Sequence, residues 1–308
     1  MATYGTFGGD AERHPVPRSE APWEKLKAES YSLFLKLSEL PKGTYDEFEA
    51  SWADKENGEF KGGLGVVIVV RYSETPVGPY DEIIFVPGNF TTPLPPNPSS
   101  LPAKALRISR IYVSQRTTTY NGRLNWNIPK HLARFSFSSP PTPAGASPPP
   151  SLTVKVYPPS SIEGDSTPPF FACTLTPWKW IPALPVNTKY IPLSLALVQP
   201  PVPEPAGHKE AVKKVLEGET VDPYDIRDAE KTLAVLPGTD KWKEFDILAR
   251  SPRARGCWVQ VHEPEEEEGE GKVYFPKNLG AWSFGGWMED VEWSIGGVTE
   301  WTVEKAGT

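Results

Sequence analysis

The stretch GVVIVVRYSETPVGPYDEIIFV, residues 65–86, decides the fold class of this chain. Its first part, residues 65–72, is a run of β-branched side chains, which predicts a strand buried on both faces. The VGP tripeptide at residues 77–79 is a turn signal, because glycine and proline adopt the dihedral angles that tight turns need. Residues 80–86 then predict a second strand. Two strands joined by a turn favour a β-rich core.

Similar strand patterns recur on both sides of this stretch. Alternating or short apolar runs predict strands at residues 31–37, 106–114, 134–137, 152–157, 170–175, 191–198, 257–262, 272–275 and 282–301. A short helix is expected within residues 117–133, ending before Pro129, because proline disfavours helical geometry in the residue that precedes it. Two more helices are expected within residues 207–237, as an insertion between strands.

Length and composition predict one folded domain. Proline makes up 36 of the 308 residues, roughly twice the usual share of about 5%. Proline and glycine together reach about 20%, below the roughly 25–30% typical of disordered chains. Eleven tryptophans indicate that the chain has a core. The length permits one large domain or two small ones. Because the helices at residues 207–237 look inserted into a β domain, we predict a single α+β domain over residues 21–308, preceded by a loose arm at residues 1–20.

The charge balance excludes nucleic acid and anionic membranes as expected partners. The chain carries 32 basic and 39 acidic residues, and six of the acids lie in one run at residues 263–270. Outside that run the chain is close to neutral, without the basic footprint that such partners require. The longest apolar run, residues 66–70, is too short to cross a bilayer, and the N-terminus lacks the apolar core of a signal peptide. We expect a cytoplasmic protein with a small-molecule ligand.

The sequence has no pattern of a metal or cofactor site. Cys173 and Cys257 are far apart and neither belongs to a CxxC motif, and the four histidines are scattered. No phosphate-binding loop, dinucleotide fingerprint or nucleophile-elbow motif is present. We therefore predict neither a metal nor a cofactor.

Two motifs, taken in order, carry a family resemblance. The first is VGPYDE at residues 77–82, and the second is NGRLNWNIPK at residues 121–130. This Gly-x-Tyr-x-Glu strand with a downstream Gly-Arg and Pro-Lys resembles the acetoacetate decarboxylase superfamily, and residues 110–137 look like its fungal branch. The resemblance is specific over residues 65–137. It implies a closed, largely antiparallel, cone-like β-barrel with flanking helices and a lysine inside.

The resemblance places a Schiff-base lysine at Lys130 and an acid/base carboxylate at Glu82. Loss of CO2 from a β-keto acid leaves a carbanion, and a protonated imine can accept its electrons. Imine formation needs a neutral amine, whereas the pKa of lysine in water is about 10.4. Burial in an apolar pocket lowers that pKa because it disfavours the charged form. Trp126, Ile128 and Leu132 are candidates for the apolar wall.

Two positions depart from the family pattern. His131 stands where the bacterial enzymes have a second lysine, so a fixed positive charge beside Lys130 is missing. The strand at residues 65–70 has no acid where the family has one. The missing acid bears on decarboxylation more than on imine chemistry, since some superfamily members keep the lysine but catalyse aldol condensation, dehydration or cyclisation.

Other side chains are candidates for substrate binding. The candidates are Tyr80, Arg71, Arg110, Tyr112, Arg123, Trp126 and His131. Arg71 and Arg110 would bind a substrate carboxylate if their strands turn them inward. Tyr80, Tyr112 and Trp126 would line the pocket, with core packing as the alternative.

Arg123 and His131 each have two readings. Arg123 is expected to hold the start of the helix rather than touch the substrate. His131 would assist proton transfer, or else be a half-buried histidine bonded to the backbone.

Three functions stay open. The first is a cofactor-independent lyase that acts on a β-keto or polyketide-like acid through a Lys130 Schiff base. The second is a cyclase, isomerase or dehydratase of fungal secondary metabolism that uses the same pocket without a covalent imine. The third is a barrel that binds an apolar ligand without turnover. A homo-oligomer is compatible with each.

Overall fold

The computed structural model of the protein describes residues 14–93, 103–218, 222–263 and 272–303. Nearly all of the acidic run, most of the predicted N-terminal arm and part of the proline-rich stretch before residue 103 lie outside the described residues. Within the described part of the chain, no helix is long and apolar enough to span a membrane.

Strands make up most of the regular structure. Along the described chain they are β1 (Trp23–Lys36), β2 (Phe60–Gly62), β3 (Leu64–Glu74), β4 (Tyr80–Val86), β5 (Asn89–Thr91), β6 (Lys104–Leu106), β7 (Arg110–Val113), β8 (Lys130–Leu132), β9 (Arg134–Phe137), β10 (Leu152–Tyr157), β11 (Phe171–Pro177), β12 (Leu184–Asn187), β13 (Ala196–Gln199), β14 (Trp242–His262), β15 (Phe284–Ile295) and β16 (Thr299–Trp301). The α-helices are α1 (Arg116–Trp126), α2 (His208–Leu216) and α3 (Ala229–Ala234), and 3₁₀ helices span Glu47–Ala53, Lys55–Asn57 and Thr188–Tyr190.

The β3–β4 hairpin forms as its sequence predicts. Val66 pairs with Val86 and Tyr72 pairs with Tyr80 in an antiparallel register without a bulge. Gly78 has a φ of 91° in the turn, where a side chain would be strained. The hairpin is flanked by β1 on the β3 side and by β7 on the β4 side.

One largely antiparallel sheet connects the strands into a single domain. The long strand β14 pairs with β11, β12, β13, β15 and β16. One path leads from β14 through β15, β1, β3, β4 and β7 to β8, and another leads through β11 and β10 to β9. Only Ala133 separates β8 from β9, but no strand pairing of the described residues joins them. The closed barrel therefore stays a prediction.

Alternating side chains divide the core between two faces of the sheet. Val67 and Val69 of β3 belong to one apolar cluster, together with Ile83 of β4. Val70 and Tyr72 belong to the other, because side chains next to each other in a strand point to opposite faces. Both faces of the central hairpin are therefore buried.

Helix α1 lies within the fold rather than on its surface. Ten of its 11 residues are buried. The Gln115 side chain accepts a hydrogen bond from the Thr118 amide at the start of the helix. At its end Asn127 has a left-handed φ of 55°, and the chain then passes through Pro129 into β8. The predicted break before Pro129 is thus a turn from helix to strand.

Several predicted elements differ from the observed ones. No strand forms at residues 272–275, where one was predicted. The strand predicted at residues 106–114 is two short strands, because the chain leaves one pair of neighbours and joins another. β6 pairs with β5 and β13, whereas β7 pairs with β4 and β8. Within residues 207–237 two helices are observed, α2 and α3, but α3 has only six residues and begins at Ala229.

Candidate active site

Lys130 lies at the start of β8, where the chain comes back against α1. It is the register partner of Ile111 in β7. Its side chain packs on Gly122 of α1, and a Cβ at Gly122 would lie 2.7 Å from Lys130 Cδ and 2.8 Å from Cε. The glycine of the Gly-Arg motif thus leaves the space that the lysine stem occupies.

Three polar side chains surround the Lys130 amine, and together these four residues form the Lys130 site. Lys130 Nζ donates hydrogen bonds to Glu82 Oε2 at 2.7 Å and to Thr118 Oγ1 at 2.9 Å, and lies 3.5 Å from the Tyr80 hydroxyl. Lys130 is only 2% exposed and Glu82 only 3%. The structure therefore brings both predicted catalytic residues together in the protein interior.

The surroundings of this site are aromatic and apolar. The ring centre of Tyr80 lies 5.1 Å from Lys130 Nζ and 4.8 Å from the ring centre of Tyr72, with the two rings tilted by 39°. Burial, and next the Glu82 carboxylate, hold the pKa of both phenols well above their usual value. Both hydroxyls therefore stay protonated and can donate hydrogen bonds. The register partner of Glu82 on β3 is the apolar residue Val70.

Trp126 does not contact the amine. Its indole Nε1 donates to the Gly296 carbonyl at 2.8 Å. Its ring lies 5.2 Å from that of Trp23 and 6.4 Å from that of Phe245. Trp126 therefore packs in the core at the end of α1, the simpler of the two roles considered for it.

Four of the predicted binding residues lie together away from the amine. Arg110, Tyr112 and His131 are on the opposite face of β7 and β8, and Arg123 of α1 joins them through Glu49. Arg110 donates to Asp46 Oδ2 at 2.7 Å and to the Tyr112 hydroxyl at 3.1 Å. Arg123 donates to Glu49 Oε1 at 2.6 Å, and His131 Nε2 lies 2.8 Å from Glu49 Oε2. With Asp46 and Glu49 these residues form what we call the Glu49 cluster. The structure thus does not place Arg110, Tyr112, Arg123 or His131 at the Lys130 amine.

The charges of the Glu49 cluster are mutually compensated. Burial by itself would raise the pKa of Glu49, but His131 and then Arg123 outweigh it and lower that pKa. The pKa of Asp46 is also lowered, because His131, Lys272 and Arg110 together outweigh its burial.

A metal ion would have to compete with these partners. Asp46, Glu49 and His131 each offer a ligand atom, and these atoms lie within 4.8 Å of one another. Both carboxylates already pair with arginines. The geometry therefore favours an ion-pair network over a metal centre.

Arg71 occupies a third environment. Its guanidinium lies 4.0 Å from the centre of the Phe137 ring, and Nη1 donates to the Ser139 carbonyl at 2.9 Å. Its Nε lies 3.9 Å from Asp81 Oδ1. Arg71 points to the same face of β3 as Val69, away from the Lys130 site.

Sequence reasoning missed three residues of these two sites, and it gave no structural role to Gly122 of the Gly-Arg motif. Thr118 and Gly122 belong to the predicted helix, but only the packing of α1 against β8 reveals their contacts with Lys130. Asp46 and Glu49 lie in the 3₁₀ helix Glu47–Ala53 and its cap. Their partners are more than 60 residues away in sequence, so no local pattern could have found them.

The sequence matches no protein-family model and no curated protein. The structure does have relatives. It is similar to the acetoacetate decarboxylase of Legionella pneumophila with a TM-score of 0.56 and 9% identity, over 97% of this chain and 94% of that one. A second acetoacetate decarboxylase structure gives a TM-score of 0.51 and 10% identity, over 94% and 92% of the two chains. At these identities the similarity shows the fold alone: the chain has an acetoacetate decarboxylase-like fold.

Proposed function

We propose that this protein is an enzyme that forms an imine between Lys130 and the carbonyl group of a small keto acid. The observation that carries the proposal is the buried contact of 2.7 Å between Lys130 Nζ and Glu82 Oε2. A lysine in this position has a proton acceptor within direct transfer distance and little water around it. Glu82 can accept the amine proton, and burial disfavours the charged form of an amine, whose neutral form is the nucleophile.

Glu82 has a defined part in this scheme. Transfer of one proton from the Lys130 ammonium to Glu82 gives a neutral amine and a neutral carboxyl group. The amine attacks the carbonyl carbon, a C–N bond forms, and the Glu82 proton moves to the carbonyl oxygen. A second proton passes from nitrogen through Glu82 to that oxygen, which leaves as water. The resulting imine, protonated on nitrogen, is the electron sink.

Loss of CO2 completes the lyase reaction. The electrons of the breaking C–C bond move into the protonated imine and give an enamine. Protonation of its carbon and addition of water then release the ketone and restore the amine. Thr118 accepts a hydrogen bond from the amine and keeps it aligned, and the protonated Tyr80 is a donor for a developing oxyanion.

The closed barrel belongs to the same proposal. The chain runs from β8 into β9 through Ala133 alone, and the Ala133 amide donates to the Val113 carbonyl at 3.0 Å. The two paths of the sheet end in β8 and β9, so the covalent link between these strands supports a closed ring.

A second candidate function follows from the ion pair. If the proton stays on nitrogen, the Lys130 ammonium cannot attack a carbonyl group, but it can stabilise an enolate oxygen while Glu82 removes the α-proton. A cyclase, isomerase or dehydratase of a larger, apolar keto compound would use the site in this way. A protein that only binds its ligand would need neither proton transfer from Lys130 to Glu82 nor removal of an α-proton by Glu82.

Borohydride trapping separates these functions. The protein is incubated with acetoacetate and longer β-keto acids, reduced, digested and analysed by mass spectrometry. We expect an adduct on the Lys130 peptide that is absent from Lys130→Met. Lys243→Met is the matched control, because Lys243 is also buried, at 6% exposure, but donates to the Leu124 carbonyl. An adduct on other lysines only, or none with a ligand that demonstrably binds, would contradict the imine proposal.

A further inference from the structure

A row of aromatic side chains crosses the exposed face of the sheet. We call it the aromatic strip, and its members are Phe34, Trp178, Trp180, Trp258, Trp282 and Phe284. The ring centres of Trp178 and Trp180 are 5.6 Å apart, and that of Trp178 lies 5.2 Å from that of Trp258. Trp258 is the register partner of Phe284, whose ring centre lies 5.3 Å from that of Trp282. The ring of Trp282 also lies 6.1 Å from that of Phe34, so the strip is continuous across β14, β15 and β1.

Four rings of the strip are open to water. Trp180 is 71% exposed, Trp258 51%, Phe284 42% and Trp282 37%. Together these four side chains expose about 400 Å² of largely apolar surface. Soluble monomers rarely expose larger contiguous apolar patches, and patches of this size often mark interaction sites.

Packing against the sheet determines how the strip is presented. Cys257 is fully buried, so its neighbour Trp258 points to the opposite, exposed face of β14. Trp178 packs on Gly256, where a Cβ would lie 2.2 Å from Trp178 Cε3, and its amide donates to the Gly256 carbonyl at 2.9 Å. The strip is thus part of the folded sheet, and it contains no residue of the Lys130 site or the Glu49 cluster.

The shape of the strip favours a protein partner. The rings of Trp178 and Trp258 meet at 62°, and those of Trp282 and Phe284 at 40°. Rings that tilt against each other present ridges and hollows rather than a flat platform. Such a surface fits the interdigitating side chains of another protein better than a flat ligand.

The absence of charge around the strip favours a second copy as that partner. On the same face of β1, β15, β14 and β11, the positions beside the strip are uncharged, namely Ser32, Gly286, Gln260, Thr174 and Thr176. In a two-fold contact a surface meets itself, so a charged patch would repel its copy whereas an uncharged one does not. Lys36 and Lys179 border the strip, and the stem of a lysine can lie along apolar surface while its amine stays in water.

We infer that the aromatic strip is the centre of a two-fold interface between two copies of this chain. A stable dimer buries about 800 Å² on each partner, so the four exposed rings supply about half of that area. More polar neighbours form the rim. Leu184 of β12, which is 60% exposed, extends the apolar surface, because its register partner Ala254 lies two residues before Gly256.

Sedimentation velocity over a concentration series tests this interface. The wild type should sediment with twice the 34.1 kDa of one chain and a dissociation constant in the micromolar range or below. Trp180→Glu and Phe284→Glu each place two like charges in the contact and should weaken it by about 100-fold or more. Ile162→Glu is the matched control, because Ile162 is 65% exposed in the loop between β10 and β11, outside the strip. A dimer that neither strip variant weakens would overturn the inference, and so would a wild type that stays monomeric.

Tryptophan fluorescence of the wild type gives an independent test if the glutamate variants do not fold. Dilution below the dissociation constant should shift the emission to longer wavelength and increase quenching by iodide, because Trp180 and Trp258 enter water. Trp180→Phe should dimerise with a smaller shift, since one reporter is removed. Dissociation of the dimer with unchanged emission and quenching would overturn the inference. A shift caused by lipid vesicles or a soluble glucan in a protein that stays monomeric would also overturn it and would assign the strip to that ligand.

Discussion

Lys130 and His131 are neighbours in β8, yet they belong to two polar clusters of opposite character. At the Lys130 site one amine meets one carboxylate, and the other partners are neutral hydroxyls. In the Glu49 cluster each carboxylate faces at least two cationic or titratable partners. The comparison shows how the fold separates an isolated ion pair from a compensated network of charges. The isolated Lys130–Glu82 pair is the one that we propose exchanges a proton, whereas each carboxylate of the Glu49 cluster is held by an arginine and a second partner.

The largest expected difference is between variants of these two neighbours. Lys130→Met keeps the length of the side chain but removes the amine, so imine trapping and turnover should be lost completely. His131→Gln keeps a hydrogen bond to Glu49 and should leave the rate of trapping within a few-fold of the wild type. Single-turnover trapping with acetoacetate measures both. If His131→Gln abolished trapping while folding normally, the separation of the two clusters would be wrong.

Glu82 and Asp81 offer the same comparison within β4. Glu82→Gln retains the shape but cannot take the proton from Lys130, so the rate of trapping should fall by about 10²- to 10⁴-fold. Asp81→Asn changes the next side chain, which points to the other face beside Arg71, and should have little effect. Similar losses in the two variants would contradict a proton-transfer role that is specific to Glu82.

Glu49 should matter for stability rather than for chemistry. Glu49→Gln leaves Arg123 buried without a carboxylate, which should lower the free energy of unfolding by about 3 kcal/mol. Urea unfolding followed by tryptophan fluorescence measures this change. The rate of trapping in the folded variant should stay within a few-fold of the wild type. A stable variant with greatly slowed trapping would place Glu49 in the reaction instead.

Gly122 tests the packing between α1 and the lysine. Gly122→Ala introduces a Cβ within 3 Å of the Lys130 stem, so the amine should shift and trapping should slow by about 10- to 100-fold. Gly286→Ala is the control, because the nearest atom to its new Cβ would be 3.8 Å away. Unchanged trapping in Gly122→Ala would show that the lysine stem adapts freely.

The smallest expected effects are changes in folding stability with pH. The pKa of Glu49 is lowered in the folded state, so its contribution to stability is present above its ordinary pKa of 4.5 and lost as the pH falls below that value. Burial raises the pKa of Asp81 to about 6, so its effect has the opposite sign. The contribution of Asp81 to the free energy of unfolding should be lost as the pH rises from about 4 to about 6.

Urea unfolding between about pH 3 and pH 8 checks both signs. In Glu49→Gln, the free energy of unfolding should fall less steeply than in the wild type as the pH is lowered below about 4.5. In Asp81→Asn, the loss of stability between about pH 4 and pH 6 should be smaller than in the wild type. The variant should be more stable at neutral pH by at most about 1 kcal/mol, because the Asp81 carboxylate is partly exposed. Parallel curves for the wild type and both variants would contradict the assigned environments.

The sequence predicts more of the fold than of the site. The bounds of β4 coincide with the predicted strand, and the turn after α1 falls at the predicted break before Pro129. These features are local, because dihedral preferences and alternation decide them. The split of residues 106–114 into β6 and β7 depends on which strands lie beside them, and neighbouring strands are set by the whole topology.

The candidate site shows the same limit. The two motifs identify Lys130 and Glu82, but their common face depends on the register of β4, β7 and β8. The sequence predicts a helix within residues 117–133 and no strand at its end. It therefore does not reveal that Lys130 and His131 are neighbours in a strand, where their side chains point to opposite faces. Arg110 and Tyr112 share the face of His131 for the same reason. Glu49 joins α1 to β8 from a distant segment, a contact that alternation does not reveal.

Exchange of the keto oxygen with labelled water tests the central claim most directly. Imine formation and hydrolysis replace the carbonyl oxygen of a ketone, whereas a mechanism without a covalent bond leaves it in place. The ketone product or its keto acid is incubated with the protein in H2¹⁸O, and ¹⁸O incorporation is followed by mass spectrometry. The account predicts accelerated exchange that disappears in Lys130→Met and persists in Lys243→Met. Turnover of a keto acid without accelerated exchange would contradict it.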